Sequence, residues 1–341
     1  MSKEKLLSIC ISTRNRGFTI SNTLQSITSQ FSEDIEVIIV DGNSSDDTEI
    51  VVNSFVNQGL DIYYHKETVN SGVDGDYDKS VKYASGKYCW LMTDDDVLKE
   101  GAIEYLLHRL RSDFDFYFID TEVKNKDFSI TLNKSRVDIK EDRSFSREQT
   151  SDLLNLIGSQ MSYIGSVIIR REFWLKRDRE SFYGSLFIHV GVLLQSPKSF
   201  STLVISKSLI IIRAGNANWT PRWFEVWMFL WPNLIWSFEG LTEDEKKSVT
   251  PEYPWKSLKK LLYTRAVGSF SRREYYLFLK DFKLSDRLNS IFVLLIPAKI
   301  LNFFLVIFLY ARKKTINEEI YYLLISNNCI ESLRNYFIAD E

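Results

Sequence analysis

Between Leu6 and Val97 the sequence repeats one unit three times over: a short apolar run, a polar loop, then a stretch with helical spacing. The first run, Leu6-Leu7-Ser8-Ile9-Cys10-Ile11-Ser12, breaks into Thr13-Arg14-Asn15-Arg16-Gly17 and is followed by Ile20, Leu24 and Ile27 at helical intervals. The second, Ile35 to Val40, ends in Asp41-Gly42-Asn43-Ser44-Ser45-Asp46-Asp47-Thr48, capping residues ahead of a helix with Ile50, Val51, Phe55 and Val56. The third, Ile62-Tyr63-Tyr64, leads through Gly72 and Gly75 to a helix expected near Tyr77 to Ala84. A fourth apolar run, Tyr88-Cys89-Trp90-Leu91-Met92, follows Ser85-Gly86. This alternation predicts right-handed βαβ crossovers, an α/β fold with a mostly parallel sheet, and helices on both faces.

The fourth run delivers Asp94-Asp95-Asp96 to the end of a buried strand, the edge where open α/β sheets bind ligands. Three adjacent carboxylates repel one another, so keeping them ionised calls for a cation. Hydrated Mg²⁺ or Mn²⁺ bridging to substrate phosphates suits such oxygens. A solvated acidic turn has the same sequence.

In order, Ile11-Ser12-Thr13-Arg14-Asn15-Arg16, Val40-Asp41-Gly42-Asn43-Ser44-Ser45-Asp46-Asp47-Thr48, Asp78-Lys79 with Ala84-Ser85-Gly86, and Thr93-Asp94-Asp95-Asp96 resemble the signature of family 2 glycosyltransferases of GT-A fold. The stretches Gly72-Val73-Asp74-Gly75-Asp76-Tyr77-Asp78-Lys79 and Phe187-Ile188-His189-Val190-Gly191 most resemble O-antigen enzymes that transfer 3,6-dideoxyhexoses such as abequose. The resemblance implies that Thr13, Asn15, Asp41 and Asp78 bind a nucleotide sugar, with Lys79 near its diphosphate. Asp94 faces the nucleotide or diphosphate, and the metal falls to Asp95 or Asp96 depending on register. Relatives place a Glu-Asp pair further on to deprotonate the acceptor; here the pair is missing and His189 stands at or next to its place. A neutral imidazole can serve as base near pH 7. Asp178 and Glu180 are the fallback carboxylates, and a packed histidine is the alternative for His189.

The formal net charge of -2 provides no field for binding a nucleic acid polymer. Cys10, Cys89 and Cys329 have no metal spacing, and the first two fall in expected core strands, as in a reduced cytosolic protein. Met1 to Lys5 lead straight into the first strand, which leaves no room for a signal peptide.

Near residue 215 the texture changes, so residues 1–215 are expected to form the catalytic domain and 216–341 a helical membrane-associating region. Trp219, Trp223, Trp227, Trp231 and Trp236 mark a helix that either packs in a core or lies at a lipid interface. Ile291 to Ala311 is almost wholly apolar but interrupted by Pro297, Lys299 and Asn302. Two short helices dipping into the cytoplasmic leaflet are expected; one true span is the alternative. Thr242 with Glu245, and Ser271 with Glu274, match capping boxes.

The expected protein is an inverting, metal-dependent glycosyltransferase on the cytoplasmic face of the bacterial inner membrane, peripheral or monotopic. Its donor would be a CDP-linked dideoxyhexose and its acceptor an undecaprenyl-diphosphate-linked oligosaccharide in O-antigen assembly. A UDP- or dTDP-hexose donor is one alternative; a non-catalytic nucleotide-binding scaffold at the membrane is another.

Overall fold

The structure, a computed structural model, describes residues 5–216 and 222–338. The alternation of the first hundred residues appears as β1 (Leu7–Thr13), α1 (Gly17–Thr28), β2 (Ile35–Asp41), α2 (Thr48–Val56), β3 (Ile62–Lys66), α3 (Gly72–Tyr83) and β4 (Tyr88–Met92). Strands β3, β2, β1 and β4 lie side by side and run parallel. Every residue of β2 and β4 is buried, which is why these runs carry no polar alternation. Helix α3 begins five residues earlier than expected. The glycines that read as loop are inside it, and Asp74, Asp76 and Asp78 are all buried among its contacts.

Beyond β4 come β5 (Val97–Leu98), α4 (Ala102–Leu110), β6 (Phe116–Lys124), β7 (Thr131–Asn133), β8 (Arg143–Phe145), α5 (Thr150–Ile157), β9 (Val167–Arg170), α6 (Arg171–Leu175), α7 (Ile188–Leu194) and β10 (Thr202–Arg213). The sheet order is β3-β2-β1-β4-β9-β6-β10-β5, with β7 on β6 and β8 on β10. Where pairing registers are resolved beyond β4, they are antiparallel.

Thr13 stands opposite Asp41 in the register of β1 and β2, and Ile11 opposite Met92 in that of β1 and β4. The carboxyl ends of β1, β2 and β4 therefore share one edge, where the order of the parallel strands turns back about β1. At the other end, Glu36 on β2 is 4 % exposed and accepts from the Ser8 hydroxyl, the Ser85 N–H and hydroxyl, and the Gly86 N–H. A Cβ on Gly86 would sit 2.6 Å from Ser8 Oγ, so the Ala84-Ser85-Gly86 motif is a close backbone approach that fixes the entry to β4.

The chain forms two compact units that interleave in sequence: one takes the described residues up to Glu122, Lys134–Ile212 and Phe238–Val249; the other takes Val123–Asn133, Arg213–Ser237 and the described residues from Thr250 on. In the second unit the tryptophan stripe is packed, which favours the core helix of its two readings. Trp231 is buried and Trp223, Trp227 and Trp236 are half-buried, while Trp219 lies outside the described residues. A π-helical turn at Val226–Leu230 turns Phe224 and Met228 into a cluster with Trp255, Leu261, Phe270, Leu279 and Val293. Both capping boxes form: Glu245 accepts from the Thr242 N–H at 2.8 Å, and Glu274 from the Ser271 N–H at 2.9 Å. The apolar segment forms two helices, Leu284–Leu295 and Ala298–Lys313, bent by 91° at Ile296-Pro297. Among the described residues no single helix is long and apolar enough to cross a membrane.

Candidate active site

Three loops meet the shared edge. The first, after β1, is tied to the loop after β2: the Asn15 N–H donates to Ser44 Oγ at 2.8 Å, and Asn15 Oδ1 accepts from the Ser45 N–H at 2.8 Å. Asn15 reaches this position in the left-handed region, φ 54°, which asparagine tolerates better than most residues. Asp41 is fully buried; Oδ1 accepts from the Ser44 N–H at 2.7 Å and Oδ2 from the Tyr64 hydroxyl at 2.6 Å. Thr13 is 2 % exposed, and its hydroxyl, which has no hydrogen-bond partner among the described residues, lies beside Asp94.

The acidic loop after β4 divides its three carboxylates. Arg16 lies between the first two, with Nε 3.7 Å from Asp94 Oδ1 and Nη2 3.7 Å from Asp95 Oδ2. Burial, then the Asp95 charge, pushes Asp94 up to about 7 against the pull of Arg16 and Thr13. Asp96 is turned the other way: Oδ2 accepts from the Thr93 and Tyr163 hydroxyls, each at 2.5 Å, and its backbone carbonyl accepts from Thr23 Oγ1 at 2.7 Å. Asp96 thus holds the loop, and of the two registers the sequence leaves open this geometry favours Asp95 as the metal ligand.

Among the described residues, no three His, Cys, Asp or Glu side chains converge to hold a metal. The donor set nevertheless fits a hard divalent cation. Asp94 and Asp95 are two carboxylates crowded enough to raise one of them, and Mg²⁺ or Mn²⁺ needs only one or two such ligands beside substrate phosphates and water.

Lys79 lies 2.6 Å from Glu67 in an ion pair, so reaching a diphosphate requires exchange of that partner. Asp78 is a correction. Its carboxylate is fully enclosed and takes the Trp174 indole N–H at 2.9 Å, the Tyr183 hydroxyl at 2.6 Å, Arg179 at 2.8 Å and Lys82 at 2.7 Å. Burial pushes Asp78 up, but these donors outweigh it and hold the carboxyl below its ordinary value. It fastens α3 to residues 174–183, and in this structure its carboxylate is taken up by these partners rather than turned to a nucleotide sugar.

His189 is the second correction. It is fully enclosed in α7, its Nε2 lies 2.8 Å from the Met161 carbonyl, to which it donates, and Nδ1 has no partner. Burial lowers it to about 4, far from the range that suits a base at neutral pH. Asp178 and Glu180 are exposed in the turn ahead of α7, where the Asp178 carboxylate accepts from the Ser181 N–H at 3.3 Å. His189→Gln, which keeps an N–H for Met161, is expected to change turnover by less than about fivefold, where loss of a base costs about 10²–10⁴. The same variant tests pH linkage. In wild type the unfolded histidine, near 6.5, takes a proton before the folded one does. Stability from this group is present above pH 6.5 and lost as pH falls toward 4, a slope of up to about 3 kcal/mol that the variant lacks in acid denaturation.

Arg16 and Tyr163 are site residues to which the sequence assigned no role. Arg16 had a signal, a cation in the loop directly after the first strand. Tyr163 had none, because it meets Asp96 across 67 residues of chain.

The parallel strands, the crevice at their carboxyl ends and the acid loop define a GT-A-like nucleotide-binding fold. The glycosyl transferase family 2 profile matches residues 8–175. Abequosyltransferase RfbV of Salmonella typhimurium is 32 % identical over 230 residues, 64 % of this chain and 69 % of that protein. The GalNAc(5)-diNAcBac-PP-undecaprenol beta-1,3-glucosyltransferase of Campylobacter jejuni is 27 % identical over 180 residues, 52 % and 56 % of the two chains. S. aureus TarS 1-349, solved in complex with UDP, superposes with a TM-score of 0.54 at 18 % identity, covering 93 % of this chain and 90 % of that one, a likeness of fold. The chain belongs to glycosyl transferase family 2.

Proposed function

We propose that this glycosyltransferase moves a 3,6-dideoxyhexose such as abequose, with inversion, from a CDP-linked donor to an undecaprenyl-diphosphate-linked oligosaccharide in O-antigen assembly. The carrying observation is Arg16 set between Asp94 and Asp95 at the edge shared by β1, β2 and β4. The similarity to an abequosyltransferase supports the donor class, and that to an undecaprenol-linked glucosyltransferase supports the lipid-linked acceptor.

Thr13, Asn15 and Asp41 hold the nucleoside, and Arg16 offers its guanidinium to the diphosphate. Asp95, with Asp94 beside it, would hold Mg²⁺ or Mn²⁺, which supplies positive charge against the departing diphosphate. The acceptor oxygen bonds the anomeric carbon as the bond to the diphosphate breaks, and the hydroxyl proton passes to a base. With His189 sealed in, the exposed carboxylates carry that role in this proposal. Glu180 is the better placed, since Asp178 is tied to Ser181.

Residues 216–341 are proposed to dock the enzyme on the cytoplasmic leaflet, which suits an acceptor whose lipid stays in the bilayer. The support is an exposed apolar stripe, Leu284, Leu288, Phe292 and Leu295 on one helix and Ile300, Phe304, Ile307 and Phe308 on the next. Lys280 and Lys283 precede it, Arg287 stands beside its first turn, and Arg312, Lys313 and Lys314 follow, as anionic headgroups favour. Changing Leu288, Phe292 and Phe304 together to serine is expected to weaken sedimentation with anionic vesicles by more than about tenfold. Unchanged sedimentation would refute the docking face.

The donor and acceptor are tested by supplying vesicles carrying the undecaprenyl-diphosphate oligosaccharide with CDP-, UDP- and dTDP-sugars. Mass gained by the lipid-linked product from a CDP-dideoxyhexose alone is the expected result. Gain from a UDP- or dTDP-hexose instead would replace this donor.

A further inference from the structure

We infer that Asp76 reads the exocyclic amino group of a cytosine base and so makes the crevice prefer cytidine over uridine nucleotides; this rests on the nucleotide-sugar reading above. Asp76 is 2 % exposed on α3, yet only half of its carboxylate is engaged. Oδ1 accepts from the Ser71 hydroxyl at 2.5 Å, while among the described residues no hydrogen-bond donor meets Oδ2. That oxygen is directed at Gly42, the first residue after β2. A Cβ there would stand 2.6 Å from Asp76 Oδ2 and 3.2 Å from Asn70 Oδ1, so glycine is what keeps the approach open.

The neighbouring groups are also acceptors. Asp41 precedes Gly42, and Asn70 Oδ1 is fixed as an acceptor by the Gly72 N–H at 3.0 Å. Of the two lysines on the same helix, Lys79 is held by Glu67 and Lys82 by Asp78. A carboxylate oxygen that the protein leaves without a donor is an acceptor open to a ligand that brings an N–H. Cytosine carries two amino hydrogens at the position where uracil carries a carbonyl oxygen. A carboxylate bonds the first and repels the second. The ribose and diphosphate contacts are common to both nucleotides and cancel in their ratio, which leaves the 3- and 4-positions of the pyrimidine as the difference: uracil presents N3–H and a carbonyl there, cytosine a bare N3 and the amino group.

The experiment is calorimetric titration of the full chain, at fixed Mn²⁺, with CDP, UDP and the diphosphate of N4,N4-dimethylcytidine, which has no amino hydrogen. CDP is expected to bind tighter than UDP by about tenfold or more, and the dimethyl nucleotide no better than UDP. Asp76→Asn, whose amide offers both a donor and an acceptor, is expected to bring the CDP and UDP affinities within about threefold of each other. Equal binding of CDP and UDP by the wild type overturns the inference. So does a CDP preference that dimethylation or Asp76→Asn leaves untouched. Should the variant fail to fold, the three nucleotides on the wild-type chain decide the matter. Absence of binding by every nucleotide overturns the nucleotide-sugar reading itself, and the inference falls with it.

Discussion

Asp95→Asn is expected to lower glycosyl transfer by roughly a thousandfold with the fold intact, the scale seen when a preorganised charge at a departing oxyanion is removed. The reason lies in how the acidic loop divides its charges. Asp95 lies 3.7 Å from Arg16 and crowds Asp94, which rises to about 7. Neutralising it relieves that crowding, so the melting temperature should hold or rise. Asp96→Asn should behave in the opposite way. Its carboxylate anchors Thr93 and Tyr163, so the loss should show in stability as well as in rate. Transfer that survives in Asp95→Asn, or that persists in chelator, would contradict the assignment of Asp95 to the cation.

Asp78→Ala is expected to cost about 3–5 kcal/mol of stability while leaving nucleotide affinity per folded molecule within about threefold. Asp78 is fully enclosed, and its removal takes the carboxylate from Arg179 Nε, the buried Trp174 indole N–H and the Tyr183 hydroxyl at once. Asp78→Asn keeps an acceptor and should recover part of the loss. Chemical denaturation gives the stability, and CDP titration of the folded protein gives the affinity. A variant of normal stability that no longer binds nucleotide would restore Asp78 to the nucleotide-sugar site.

Asp78 also illustrates what the sequence could convey. The stretch from Gly72 to Lys79 and the stretch around His189 stood out together, and the structure joins them. Asp74 accepts from the backbone N–H groups of Gly184, Leu186 and Ile188, and Asp78 grips residues 174–183. The texture was legible, but its use was not, because a carboxylate on a helix looks the same whether it faces a ligand or a loop a hundred residues on. Strand order was accessible for a simpler reason. Alternating apolar runs and helices permit few arrangements, and the register of β1 with β2 and β4 then places Thr13, Asp41 and the acid loop on one edge. Which way each aspartate in that loop turns depends on Tyr163 and Arg16, partners that sequence spacing does not connect to it. The tryptophan spacing likewise showed a striped helix without showing that a π turn would pack it.

The most direct test of the central claim is calorimetric titration of the full chain with CDP in the presence and absence of Mn²⁺. A nucleoside diphosphate held by Thr13, Asn15, Asp41 and Arg16, with a cation on Asp95, predicts binding that Mn²⁺ strengthens by about tenfold or more. CDP binding that is indifferent to Mn²⁺, or no binding under either condition, would contradict it.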